Sequence, residues 1–433
     1  MKKLLVILAF LALVSCSDDS WNSKKGEIKK SSKDGLELEL TDYDEINADK
    51  ANLTKIVIPE EKFYKNRYNQ EQSVNANFKL SSETEDIKAT TYAIGRQGQD
   101  AFVLGSVPII RGNSIFLIDG GGILSSRNLE NPRQIFWEAP LADKKEDFIG
   151  AKVIFDYSVV YVTLKTGKVM ALSASTGDVL WEKSGFTYIN SAPIILNDLL
   201  IIATLGSETI ALNISNGETV WKHKGTEESS TKFKSAAPVA YGDNIVASYS
   251  SGEVFLLDGK TGKEKWVAQS YSNLGIDKVA QKTTSISITP IIDDGKVYVF
   301  GDNGVMLKLN AQNGEVVFRK DIDVTERPAI IGNHIYAIHR GKYLVAFDKF
   351  RGKNNWVLNL PDIQAKKAYF SGPIMVGNEL ILVNSDGVLH IIDPKTGDQL
   401  EKIIVPKKIF LPPVYTAGKV YLFSNNAELV VLE

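Results

Sequence analysis

The chain has 433 residues, with 50 basic and 52 acidic side chains, one cysteine and a formal net charge of −2 at pH 7. This balance argues against nucleic acid as the main partner, because phosphate binding needs a basic surplus on one face. A single cysteine excludes a disulfide framework and any metal cluster built on cysteine ligands.

Residues 1–15 read as a signal peptide. Lys2 and Lys3 precede an apolar run over residues 4–14. That run is too short for a membrane span, which takes about 20 residues, but it fits the hydrophobic core of a signal peptide. The alternative at the cleavage site is an ordinary signal peptide followed by a chance cysteine.

The end of this segment resembles the lipobox of bacterial lipoproteins, in the order Leu13-Val14-Ser15-Cys16. The resemblance implies that Cys16 becomes the new N-terminus and is acylated. Several acyl chains anchor a protein far better than a single chain does. Ser17, rather than Asp, follows the cysteine, and by resemblance to enterobacterial sorting rules it implies an outer-membrane lipoprotein facing the periplasm.

Residues 16–73 are predicted to form the lipid anchor and a flexible tether, because they are polar and show no sustained periodicity. The segment Ile56–Pro59 is the one apolar patch in this region and a candidate for local docking.

The remaining chain, residues 74–433, is dominated by eight copies of one unit. A clear copy starts at Pro238, continues through Gly242-Asp243 and Gly252, and ends at Trp266. Each copy holds four short runs rich in β-branched and aromatic residues, separated by Gly-Asn, Gly-Asp or Thr-Gly turns. Such copies predict an all-β fold, an eight-bladed β-propeller of four-stranded antiparallel blades. A pair of β-sandwiches is the runner-up, but it does not explain eight copies.

The last copy, from Pro413, lacks a fourth strand. We predict that an N-terminal strand closes this blade, supplied by residues 76–80 with Phe78 in the tryptophan position, which would protect the edge of the sheet. The recurring tryptophans are expected to pack between neighbouring blades. The run Gly120-Gly121-Gly122 is expected to be a turn, because it lacks the strand-to-helix setting of a phosphate loop.

The repeat resembles the quinoprotein-type propeller unit, as in Ala211-Leu212-Asn213, Gly217 and Trp221. Within that group the chain is similar to the BamB family of outer-membrane β-barrel assembly lipoproteins. The lipobox, the eight blades without added domains, and a long insertion after Trp266 carry this resemblance. It implies a scaffold that binds BamA, the barrel-inserting subunit of the assembly machinery.

Two long links between blades, 222–237 and 267–289, are expected to project together on one face, where binding residues tend to lie. The resemblance assigns partner contacts to both links, although the family's two acids are replaced here by serines. Solvated connectors remain the alternative. The candidate partner-binding residues are Ser230, Lys232, Phe233, Ile276, Asp277, Lys278, Ser285 and Ser287.

We expect no catalysis, no cofactor and no metal. Quinoprotein dehydrogenases share the repeat, and by resemblance they often carry a vicinal disulfide, which one cysteine cannot form. Asp156-Tyr157 is followed by Ser158, so a catalytic Asp-Tyr-Trp segment is missing, and no Gly-x-Ser-x-Gly elbow occurs. The four histidines lack zinc-site spacing and are expected to be structural or on the surface. A ligand- or peptide-binding periplasmic propeller stays open as a second function.

Overall fold

A computed structural model describes residues 46–49, 53–59, 63–65, 71–73, 80, 87–97, 106–144, 148–226, 235–269, 285–302, 304–361 and 369–433. All the regular secondary structure in these ranges is β-strand, as the sequence predicts. The signal peptide and Cys16 lie outside the described residues.

The strands pair antiparallel into eight four-stranded blades and one separate hairpin. The hairpin is formed by β1 (Phe63–Lys65) and β2 (Glu71–Ser73). Blade 1 consists of β4 (Ile109–Arg111), β5 (Ser114–Ile118), β6 (Ile123–Asn128) and β7 (Ile135–Pro140), and blade 2 of β8 (Ala151–Asp156), β9 (Val159–Leu164), β10 (Val169–Ser173) and β11 (Val179–Lys183). Blade 3 consists of β12 (Ile194–Leu196), β13 (Leu199–Ala203), β14 (Glu208–Asn213) and β15 (Thr219–Lys224). Blade 4 consists of β16 (Val239–Tyr241), β17 (Asn244–Ser248), β18 (Glu253–Asp258) and β19 (Glu264–Gln269). Blade 5 consists of β20 (Ile291–Asp293), β21 (Lys296–Gly301), β22 (Val305–Asn310) and β23 (Val316–Asp321). Blade 6 consists of β24 (Ala329–Ile331), β25 (His334–His339), β26 (Tyr343–Asp348) and β27 (Asn354–Asn359). Blade 7 consists of β28 (Phe370–Val376), β29 (Glu379–Asn384), β30 (Val388–Ile392) and β31 (Gln399–Ile404). Blade 8 consists of β32 (Val414–Thr416), β33 (Lys419–Phe423), β34 (Glu428–Leu432) and the N-terminal strand β3 (Ala89–Ala93).

The blades form a closed ring, and the core lies in the seams between them. Among the described residues, eight hydrophobic clusters are found, and each joins one blade to the next. Ile115 of blade 1 and Tyr421 of blade 8 belong to the same cluster, so the last blade packs against the first. The predicted eight-bladed β-propeller is therefore confirmed.

The closing strand is N-terminal, as predicted, but the predicted residues are wrong. β3 pairs with β34, with Ala89 opposite Leu432 and Ala93 opposite Glu428. Register places Thr90, opposite Val431, where other blades have tryptophan, so Phe78 does not hold that position. Half-buried and exposed side chains alternate along the five residues of β3, and the strand packs on the ring mainly through Tyr92. This pattern is enough for β3 to complete the blade without an aromatic residue in the tryptophan position.

Five tryptophans fasten five of the seams in the same way, which confirms the expectation that they pack between blades. Each indole nitrogen donates to a main-chain carbonyl in the turn before the outer strand of the next blade, over 2.8–3.0 Å. A glycine in that turn makes room for the ring: a Cβ on Gly217, which has a φ of +71°, would lie 2.5 Å from the Trp181 ring. The pairs are Trp137–Ala174, Trp181–Ile214, Trp221–Gly259, Trp266–Ala311 and Trp356–Pro394.

The seam between blades 5 and 6 replaces this lock with lysines. Phe318 stands in the tryptophan position and has no N–H to donate. Instead, the Lys308 ammonium lies 5.4 Å from the centre of the Phe318 ring and donates to the carbonyl of Lys349 over 2.7 Å. Lys320 donates to the carbonyl of Gly352 over 2.6 Å. Burial lowers the pKa of Lys308, and the neighbouring ammonium groups of Lys349 and Lys296 lower it further.

Loss of one indole N–H should weaken the contact between two blades while an aromatic ring still occupies the seam. Trp221→Phe keeps a six-membered aromatic ring but removes the N–H-bearing ring and leaves the buried carbonyl of Gly259 unpaired, so we expect the free energy of unfolding to fall by at least about 1–3 kcal/mol. Urea denaturation measures this change. Val220→Ala, at the exposed neighbouring position, should change stability by less than about 0.5 kcal/mol. Equal effects of the two variants would contradict the assigned lock.

Candidate partner-binding face

The links between blades lie on one side of the ring, here called the link face. In a four-stranded antiparallel blade, the link to the next blade and the turn between the second and third strands emerge on the same side. Main-chain hydrogen bonds join these two elements: Leu205 N donates to Tyr188 O, and Asp302 N donates to Ser285 O. The opposite side, the turn face, carries the remaining turns of each blade.

Most of the predicted contact residues lie in the middle of the two long links. Ser230, Lys232 and Phe233, together with the segment Ile276, Asp277 and Lys278, fall outside the described residues. Ser285 and Ser287 are described, at the end of the second link.

The first long link starts from a buried carboxylate. Glu253 is 8% exposed and accepts hydrogen bonds from the main-chain N–H and the hydroxyl of Thr226, over 2.7 and 2.9 Å. The Ser251 hydroxyl donates to the same carboxylate over 2.7 Å. Since a buried charge is costly unless several donors satisfy it, this arrangement holds Thr226 in a defined place. The start of the 222–237 link is therefore tied to blade 4.

An adjoining polar chain lies under the same link. The His223 ring nitrogens contact the Tyr249 hydroxyl at 2.7 Å and a Glu264 carboxylate oxygen at 2.9 Å. Tyr249 in turn donates to the hydroxyl of Thr209 over 2.9 Å. Burial raises the pKa of the Tyr249 phenol well above its usual range, so the phenol remains a neutral donor at physiological pH. This chain cross-links blades 3 and 4 beneath the link.

The second long link is held at its end by blades 4 and 5. Ile286 N donates to Tyr249 O over 3.4 Å, and the Ile286 side chain is fully buried. The Ser287 hydroxyl donates to an Asp302 carboxylate oxygen over 2.6 Å, so it serves the blade itself. Ser285 is 9% exposed, and its hydroxyl has no hydrogen-bond partner among the described residues.

The two long links are neighbours at their roots. Ala237 N, at the end of the first link, donates to the Thr289 hydroxyl, at the end of the second, over 3.1 Å. Ala236 and Ile286 belong to the same hydrophobic cluster. The prediction that these links emerge together is confirmed for their roots. Sequence reasoning missed Glu253, His223 and Tyr249, whose only signal was polar residues at positions that usually pack apolar side chains.

The histidines have structural roles. His334 contacts the side-chain oxygens of Asn333 and Asn355, His339 accepts from Asp323 N, and His390 contacts Gln399. Within the described ranges, no three His, Cys, Asp or Glu side chains are grouped so that they could hold a metal ion. The same ranges contain no helix with the length and hydropathy needed to cross a membrane.

The fold and its seams define an eight-bladed β-propeller with tryptophan-docked blades and a rooted pair of long links on one face. The family model described as outer membrane protein assembly factor BamB matches residues 119–356 and 281–433. The chain belongs to this family.

Individual comparisons agree with that assignment. The outer membrane protein assembly factor BamB of Yersinia pestis is 24% identical, over 74% of this chain and 82% of that protein. The crystal structure of BamB from Moraxella catarrhalis superposes with a TM-score of 0.65 at 18% identity, covering 79% of this chain and 98% of that one. A quinohemoprotein alcohol dehydrogenase from Comamonas testosteroni has a TM-score of 0.60 at 13% identity, covering 84% of this chain and 78% of that one, and shows the shared fold alone.

Buried histidines should make this propeller less stable in mild acid. Burial lowers the pKa values of His334, His339 and His390 below the ordinary value of about 6.5. The unfolded chain therefore takes up protons first, so stability is complete above about pH 6.5 and declines as pH falls towards the folded-state pKa values. We expect the urea concentration at the midpoint of denaturation to be lower at pH 5.5 than at pH 7.5.

The variant His390→Leu removes one of these groups while it keeps an apolar side chain in the seam. Its denaturation midpoint should depend less steeply on pH over the same interval, and equally little on pH between 7.5 and 8.5. An unchanged slope would show that His390 takes no part.

Proposed function

We propose that this chain is a non-catalytic scaffold lipoprotein of the machinery that assembles β-barrel proteins in the outer membrane. The observation that carries the proposal is the pair of long links, rooted side by side on blades 3–5 of a rigid ring, in a chain that belongs to the BamB family. The partner is the barrel-inserting subunit, BamA, and the contact residues are those of the links, around Phe233 and Asp277.

A rigid base supports this assignment. Glu253 and the chain from His223 to Thr209 fix where the first link begins, and the bond from Ala237 to Thr289 fixes both ends relative to each other. Loops whose ends are fixed lose less conformational entropy when they bind, so more of the contact energy remains as affinity. At the start of the first link, Glu253, His223 and Tyr249 are hydrogen-bonded to neighbouring polar groups, as expected of a support rather than a catalytic site.

The N-terminus completes the proposal. Residues 1–15 act as the signal peptide, residues 16–73 as lipid anchor and tether, and residues 74–433 as the propeller. Acylated Cys16 holds the protein at the outer membrane, on the periplasmic side. The described part of the tether, which includes Ile46 and Ile56, contacts the propeller.

Site-specific crosslinking tests the partner face. A photoreactive residue at position 233 or 277 should crosslink to BamA when the complex is purified from detergent-solubilised envelope. The same residue in place of Tyr157, which is 92% exposed in a turn on the turn face, should give no such product. Purification of intact assembly complex without this chain, or crosslinking from position 157 alone, would sink the assignment.

Cell fractionation tests the anchor. Cys16→Ala should release the protein from the membrane into the soluble periplasmic fraction, because no thiol remains for acylation. Ser31→Ala, in the same N-terminal region, should stay membrane-bound. Membrane attachment of the Cys16→Ala protein would overturn the lipid-anchor proposal but leave the partner face untouched.

A further inference from the structure

The N-terminal residues place at least one apolar side chain in each of four consecutive seams. Ile46 packs in the seam of blades 5 and 6, and Ile56 is buried in the seam of blades 6 and 7. Leu80 is buried between blades 7 and 8, and Ile94 between blades 8 and 1. The described parts of residues 46–94 are named here the N-terminal belt.

The belt follows the half of the ring where the tryptophan lock is mostly absent. Three of its four seams lack the indole donor, because Phe318, Glu401 and Thr90 occupy the tryptophan positions in blades 5, 7 and 8. The four seams from blade 1 to blade 5 all have a tryptophan bonded to the next blade. The belt therefore adds contacts where the ring itself has fewest locks.

Side-chain amides of blade 6 hold the belt through its main chain. Asn333 accepts from Val57 N over 3.1 Å and donates to Lys55 O over 2.8 Å. Asn355 donates to Thr54 O over 2.7 Å, and Asn354 donates to Asn47 O over 2.9 Å. These contacts lie on the turn face, because Asn333 is in the first turn of its blade. Further along, Leu80 N donates to the Glu379 carboxylate over 2.7 Å.

The closing strand needs protection from a pull on the N-terminus. Lys88 and Glu433 exchange main-chain hydrogen bonds at the end of β3 where the N-terminal chain enters. A force arriving there acts on one pair at a time and peels β3 from β34, starting at Lys88. The contacts on blade 6 come earlier in the chain, so any such force meets them first.

We propose that the part of the N-terminal belt that precedes β3, residues 46–87, is a strain relief: it must detach from blades 6 and 7 before tension can reach the strand that closes the ring. The belt contacts stand without the lipid anchor, but the biological use of the device rests on the proposed anchoring through Cys16. The amides of blade 6 bond main-chain groups of this segment, and its apolar side chains, such as Ile56, pack in the seams.

Single-molecule pulling tests the order of events. The unacylated chain beginning at Cys16 offers one thiol for a handle, and a C-terminal tag offers the other. This part of the belt should release first, as a separate step. The residues between Ile46 and Lys88 have a contour length of about 140 Å at ~3.4 Å each, so the step should lengthen the molecule by that length less the native distance between the two ends. Only then should the β3–β34 pair peel and the blades unfold.

Matched variants tie the first step to the belt. Asn333→Ala with Asn355→Ala should make the belt release roughly fivefold to thirtyfold sooner at a fixed force. Because both side chains also bond the buried His334, this variant should speed the unfolding of blade 6 as well. Val57→Pro removes one belt N–H without altering the ring and should act in the same direction. Asn113→Ala, at the equivalent turn position of blade 1, should have no effect on the first step.

Two results would overturn the proposal: peeling of β3 before any separate release, or equal effects of the Asn113 and Asn333 substitutions. Neither result depends on BamA or on acylation. Failure of the belt can therefore be told apart from failure of the scaffold function or the anchor.

Discussion

The architecture depends on the contact between one blade and the turn of the next. A blade of four short strands has two apolar faces and cannot bury them alone. The indole of an outer strand solves this by covering the neighbouring seam while its N–H satisfies a carbonyl in the adjoining turn. A glycine in that turn is needed because any Cβ would collide with the ring, as at Gly217. The glycine therefore allows the turn to approach the indole of the neighbouring blade closely.

The same constraint explains how much the sequence could predict. The copies with tryptophan, such as the one ending at Trp266, mark their blades without ambiguity. Blade 8 has no such tryptophan. Phe78 is predicted for the tryptophan position of this blade only because it is an aromatic residue upstream of the first copy. The actual strand, Ala89–Ala93, carries Thr90 in that position and fits because the belt contributes packing at the neighbouring seams. Contacts over such long sequence separations leave no local periodic signal.

The geometry of the two long links was predictable in part. Link length and strand parity indicated that the links lie side by side, and the bond from Ala237 to Thr289 shows that their ends are adjacent. The supporting groups could not be foreseen, because the Glu253 carboxylate is satisfied by two donors of Thr226 in the link and by the hydroxyl of Ser251, which only the fold brings together. Likewise, the sequence gives no sign that the Lys308 ammonium, instead of an indole N–H, donates to the main-chain carbonyl in the turn of the next blade.

Ring closure by β3 and β34 also bears on how the protein is made. The two strands are separated by nearly the whole propeller in sequence, and contacts of such long separation form late in folding. While the polypeptide is being synthesised, β3 has no partner until Leu432 has emerged. A ring that cannot close early leaves the chain open until synthesis is complete, which would suit the export proposed above.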